Sequence, residues 1–161
     1  MSRDVAVISR NAGYLQNISI GQHQFQADEP VEEGGGDAGP NPYELLLAAL
    51  GACTSMTLRM YAGRKHWPLE ETRVRLKYGR MHAGDCIDCE TKEGLVDWIE
   101  REILLVGNLT DEQRQRLLEI ANRCPVHRTL TSEIHIATRL TDFHKEFHFY
   151  PPTSLPASTS E

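Results

Sequence analysis

The sequence predicts an α+β fold, and three observations carry that prediction. Short segments rich in β-branched and aromatic residues open the chain, a long apolar segment with helix-start chemistry follows, and two strand-like stretches precede a second capped helix. The resulting order, β-β-β-α-β-β-α-β, has few crossovers, whereas a doubly wound sheet alternates strand and helix throughout.

Residues 5–9, 14–20 and 22–26, separated by Gly13 and Gly21, read as a three-stranded antiparallel meander. Residues 28–40 combine acids with Gly34, Gly35 and Gly36 and end on Pro40, which predicts a loop and a candidate flexible lid. Asn41, Pro42 and Glu44 form a capping-box pattern with proline in the first turn, opening a helix that runs to about Gly63. Leu45, Leu46, Leu47, Ala48, Ala49 and Leu50 surround that helix with more apolar surface than one monomer core can cover. Residues 72–78 alternate as a half-buried strand. Residues 96–106 read as its partner, because Trp98, Ile99 and Ile103 do not fill a 3.6-residue stripe. Thr110 and Gln113 make a second capping box, starting a helix to about Arg123 that Pro125 stops. Residues 133–139 read as a closing strand. Residues 151–161 lack core-forming side chains and are expected to be a disordered tail, leaving 1–150 as a single domain.

A chain of 161 residues buries roughly 70% of its extended surface on folding, enough for a core without disulfides. The first residues show no export signal, and no apolar run near Leu45 reaches the ~18 residues of a span, so no membrane association is expected. Cytoplasm is the expected compartment, where four cysteines stay free for chemistry or metal. A net charge of −6 opposes a nucleic-acid partner, which would require clustered Lys and Arg.

Two cysteines far apart in sequence stand at helix punctuation: Cys53 inside the first helix and Cys124 between Arg123 and Pro125. A two-thiol catalyst is one reading; for either alone, a small buried hydrophobe is the other. A nucleophilic cysteine must be a thiolate, and Cys53 lies too deep in its helix for the helix dipole to supply the charge, so a cation must come from elsewhere. Gly51 is tolerable where a second helix or a substrate approaches closely, and fits a tight helix pair beside Cys53. Cys86 and Cys89 form a second constellation in an acidic loop. They read as ordinary loop cysteines, as a redox pair, or, with His82 and either Asp85 or Asp88, as metal ligands; no second such pair exists to complete a zinc framework. His127 and Arg128 could add a cation near Cys124, while His144 and His148 form no recognisable ligand set.

The Gly-rich lead at 34–36, Pro42, Glu44 and Cys53, then Cys124-Pro125 about 70 residues later and the segment from Ser132, occur in an order that resembles the OsmC/Ohr family, the osmotically inducible protein C and organic hydroperoxide resistance proteins. The resemblance spans roughly residues 4–140. It implies an OsmC-like fold in which antiparallel sheets wrap two long central helices of an intertwined homodimer, and it also places a strand at 96–106. It implies a cysteine-based peroxidase acting on organic or related hydroperoxides, with Cys53 as nucleophile, Cys124 as resolving thiol and Arg10 as the cation that stabilises the thiolate. Glu44 is the expected orienter of Arg10. In the peroxidase branch the acid directly follows the proline; here Tyr43 takes that place and Glu44 comes one residue later, about 100° further around the helix. Glu44 is equally explained as the capping-box residue. Roughly 13 Å of helical rise separates Glu44 from Cys53, so a shared site would need one of them from a second subunit. No bound cofactor is implied; an external reductant is, either a lipoylated protein or a small dithiol. The alternative is a thiol-containing binding or sensor protein on the same fold, and a third reading is a module stabilised by metal at Cys86 and Cys89.

Overall fold

The computed structural model describes residues 3–10, 12–87 and 89–140. His144, His148 and the expected tail lie outside these residues, as does Asp88. Among the described residues the chain forms two compact units, one of residues up to Pro42 together with 137–140, the other Tyr43–Ile136.

The first unit contains the meander. β1 (Val5–Ser9), β2 (Gln16–Ile20) and β3 (His23–Ala27) pair antiparallel in that order. The register runs Val5↔Ile20 to Ser9↔Gln16, then Gln16↔Ala27 to Ile20↔His23. The loop at 28–40 is built around a buried carboxylate and not left loose as a lid. Asp28 accepts the backbone N–H of Glu29 at 2.9 Å, of Gly36 at 2.9 Å and of Ala38 at 3.3 Å. Gly35 and Gly39 are required for this wrap. A Cβ would sit 1.8 Å from the Glu29 carbonyl oxygen at the first and 2.3 Å from that of Gln26 at the second.

The second unit begins with α1 (Pro42–Arg64) and continues through β4 (Glu71–His82), β5 (Leu95–Val106), α2 (Asp111–Ala121) and α3 (Pro125–Leu130). β4 and β5 form one long antiparallel hairpin with register Glu71↔Val106 through His82↔Leu95. β4 alternates from Glu71 to Tyr78. Thr72, Val74, Leu76 and Tyr78 are half-buried, while Arg73, Arg75 and Lys77 are exposed and pair with Glu71, Glu102 and Glu100. Such exposed pairs contribute little. The core is a cluster of Leu58, Ala62, Leu109, Leu117, Ile120 and Ala121, flanked by Tyr61, Trp67, Leu69, Ile103 and Leu105. α2 starts at the expected capping box: Thr110 accepts the Gln113 N–H at 3.2 Å, and the Gln113 side chain accepts the Thr110 N–H at 3.0 Å.

Three expectations are corrected here. Gly51 faces β4, where an added Cβ would lie 2.9 Å from Leu76 Cδ1, so the glycine admits a strand and not a second helix. α2 already ends at Ala121, and Pro125 begins another helix, since proline at a first helical position loses no hydrogen bond. Residues 133–140 form no strand; Ile134 is 52% and Ile136 is 80% exposed. Their alternation lacks a sheet edge in the described chain, and an unpaired strand has nothing to bury its apolar face against.

Candidate functional site

Cys-Pro-Val-His at 124–127 dictates the local geometry. The first N–H groups of a helix have no intrahelical acceptor, and a side chain must supply one. Cys124 is the N-cap of α3 and is fully buried. Its sulfur accepts the His127 N–H at 3.3 Å. The Val126 N–H points instead to Cys53 Sγ, at 3.5 Å, from the middle of α1. Consecutive amides of one short turn therefore seat two thiols that lie far apart in sequence. Both thiols are free. Cys124 is thus held by capping and by burial against its neighbours.

A residue that the sequence reading missed completes this cluster. Arg101 on β5 donates from Nη1 to Thr54 Oγ1 at 3.0 Å and to the Ala121 carbonyl at 3.3 Å, and from Nη2 to Asn122 Oδ1 at 2.7 Å. Thr54, fully buried one residue after Cys53, places its hydroxyl 2.8 Å from the Leu50 carbonyl and 3.7 Å from Cys124 Sγ. The signal for Arg101 was its register. It pairs with Leu76 and shares the inward face of the hairpin with Ile99 and Ile103, where period-2 alternation calls for an apolar residue.

The two thiols titrate in opposite directions. Burial pushes Cys53 above the ordinary thiol value; the Val126 N–H opposes this and the neighbouring Cys124 adds to it. Burial also pushes Cys124 up, but the His127 N–H, Thr54, the Cys53 thiol and the Arg101 charge together bring it below the ordinary value. His127 is held down by burial and then by Arg101, which favours its neutral form.

Arg10 is exposed directly after β1 in the first unit, and Glu44 is exposed in the first turn of α1. Arg128 is exposed in α3. Cys86 and Cys89 are joined as a disulfide beyond the end of β4, which corrects the expectation that all four thiols are free. In that state neither can serve as a thiolate ligand beside His82, and no metal-holding group of three or more His, Cys, Asp or Glu occurs among the described residues.

Fold and site together define an α+β protein that brings two distant thiols to the start of one short helix. The chain belongs to the OsmC-like protein family, whose model matches residues 34–139. Solved structures agree on the fold. An OsmC-like protein of Mycoplasma pneumoniae is 20% identical with a TM-score of 0.63, covering 81% of this chain and 87% of its own. The organic hydroperoxide resistance protein OhrB of Bacillus subtilis is 19% identical with a TM-score of 0.57, covering 81% and 91%. An OsmC-like protein of unknown function from Vibrio cholerae is 12% identical with a TM-score of 0.63, covering 83% and 96%. No curated protein matches the chain.

Proposed function

We propose that this protein is a thiol-dependent hydroperoxide reductase in which Cys53 attacks the peroxide and Cys124 resolves the product. One observation carries the reading: a half-buried thiol and a fully buried thiol meet at the start of α3. Cys53, the more accessible, forms a bond from sulfur to the terminal peroxide oxygen while the O–O bond breaks, giving a sulfenic acid and an alcohol. Cys124 then attacks that sulfur, closing a disulfide and releasing water. An external dithiol, a small molecule or a lipoylated protein, returns both thiols. The family and the solved hydroperoxide resistance protein support this chemistry. Arg10 is proposed to steady the Cys53 thiolate and Glu44 to orient Arg10.

The reading includes a cytoplasmic homodimer acting in the response to peroxide stress. α1 is long and apolar enough to cross a membrane by length and composition alone. It nevertheless packs on β4 through Gly51, and Arg59 bonds the carbonyls of Leu69 and Glu70 at 3.0 and 2.7 Å, the contacts of a core helix. Only Leu50, Thr54, Leu58 and Ala62 of α1 are buried, a single stripe at four-residue spacing. The flank carrying Cys53 also carries Ala49, Ala52, Met56 and Met60, all exposed in the single chain and suited to a second copy.

A second reading, a redox sensor that is oxidised once and not recycled, is favoured by the upward shift of Cys53. The experiment that decides is turnover with an organic hydroperoxide and excess dithiol. Wild type is expected to turn over repeatedly, Cys53→Ser not at all, and Cys124→Ser to stall after one oxidation with Cys53 trapped as sulfenic acid by mass spectrometry. Undiminished peroxide consumption by Cys53→Ser sinks the reading, and a single oxidation without turnover in wild type selects the sensor.

A further inference from the structure

The connection between β4 and β5 carries Cys86 and Cys89, which the peroxidase reading does not use. They are half-buried and joined as a disulfide near the tip of the hairpin. As a staple the bond has little to add. The hairpin is already closed by its register down to His82↔Leu95 and by the Ala83 N–H, which donates to the Gly94 carbonyl at 2.9 Å. A cross-link between residues three apart also restricts the unfolded chain very little, because that restriction grows with the loop enclosed. The tip stands apart from the other thiols. Arg101, which bonds Thr54 beside Cys53, pairs with Leu76, and the strand from Leu76 to His82 spans about 20 Å. Sulfur exchange needs contact, so the hairpin keeps the two cysteine pairs apart within one chain. Three features of the tip point to a partner. Ile87, between the two cysteines, is 95% exposed. Residues 83–94 hold the acids Asp85, Asp88, Glu90 and Glu93 against one base, Lys92. The Lys92 ammonium donates to the Cys89 carbonyl at 2.8 Å, which sets a positive charge beside that cysteine.

We propose that the Cys86–Cys89 bond is a second redox centre, a thiol–disulfide exchange site for a partner dithiol set in a cationic and apolar surface. The assignment is independent of the peroxidase reading. A thiolate of the partner attacks Cys86 Sγ, and a new S–S bond forms as the Cys86–Cys89 bond breaks. Cys89 departs as a thiolate and takes a proton; it is the better leaving group because the cation beside it stabilises that thiolate. The partner's second thiol then gives up its proton and attacks its own sulfur in the mixed disulfide. Cys86 leaves and takes that proton. Two electrons pass from the partner, which departs as a disulfide, to the loop, which ends as two thiols. Oxidation of the loop by a partner disulfide is the same sequence reversed. Ile87 supplies the apolar contact, and the acids of the loop favour a cationic partner and repel an anionic one.

Tryptic cleavage after Arg80 and Lys92 releases Met81–Lys92, which contains both loop cysteines and neither of the others, so exchange can be followed in the full wild-type chain. The folded protein is exposed to two synthetic Cys-x-x-Cys dithiol peptides, one flanked by lysine and leucine and one by glutamate and serine. Timed alkylation and mass spectrometry of the fragment then read the opening of the disulfide. The lysine–leucine peptide is expected to open it about tenfold faster per thiolate than the glutamate–serine peptide at low salt, with the difference shrinking in about 0.5 M salt. Ile87→Ser is expected to slow the lysine–leucine peptide alone. Lys92→Gln is expected to slow both about threefold, through a poorer leaving group. A disulfide that stays closed in the folded chain under millimolar dithiothreitol, opening only on unfolding, is a staple and overturns the proposal. Equal rates for the two peptides at low salt overturn it as well, since they remove the partner surface. Peroxide enters none of these measurements, so a chain that leaves hydroperoxide untouched overturns the peroxidase reading while a charge-selective opening of the loop still supports the exchange site.

Discussion

Cys53 and Cys124 are one side chain in two circumstances. One accepts a single backbone N–H and is pushed up by burial; the other is more deeply buried, yet its donors and the Arg101 charge outweigh that burial. A thiol whose folded value is depressed contributes stability in full above its unfolded value, and that contribution is lost as pH falls through the folded value. The gap in melting temperature between Cys53→Ser and Cys53→Ser/Cys124→Ala is therefore expected to widen with rising pH up to the ordinary thiol value of about 8.5, then level off. A gap that narrows over this range contradicts the depressed value. Both cysteines were legible because a thiol at helix punctuation stands out in a reading of chemistry. Arg101 was not, since among the alternating charges of a strand its identity is ordinary and only its phase is unusual. Seeing that phase requires the register with Leu76.

At the scale of elements, the signals that held were local ones. Thr110 and Gln113 specify a capping box through bonds within one turn, and the box forms as read. Alternation in β4 needs only its own period, and it too was legible. Ile134 and Ile136 failed the same test because a strand also needs an edge, which sequence period does not supply. The loop at 28–40 was misread for a related reason: its glycines signal freedom in composition, but here they admit the close wrap around Asp28. Gly51 offers a quantitative test of such a contact. Replacing it with alanine gains about 1 kcal/mol of helix propensity but sets a methyl 2.9 Å from the end of Leu76. Gly51→Ala is expected to be near neutral in wild type and stabilising by about 1 kcal/mol in a Leu76→Ala background. Strict additivity in denaturant unfolding of the four proteins removes the contact as the reason for glycine.

At the scale of the molecule, the apolar excess of α1 was legible in six consecutive residues, and one chain buries only a single stripe of it. The proposed dimer covers the flank that holds Cys53. Light scattering at low micromolar concentration is expected to give twice the 18.2 kDa of the chain. Introducing charge by Met56→Glu together with Met60→Glu, at positions 65% and 58% exposed in the single chain, is expected to yield monomers. Peroxide turnover is expected to fall at least tenfold with it if the site is completed across the interface. A stable, fully active monomer separates catalysis from assembly.

The start of α3 gives the protein a gauge of its own. The amides of Val126 and His127 each report on one sulfur and belong to one peptide turn. When the sulfurs exchange protons for oxygen or for each other, the lone pairs that those amides rely on are redirected. A change of valence at either sulfur therefore falls first on the backbone of a six-residue helix whose Arg128 is exposed.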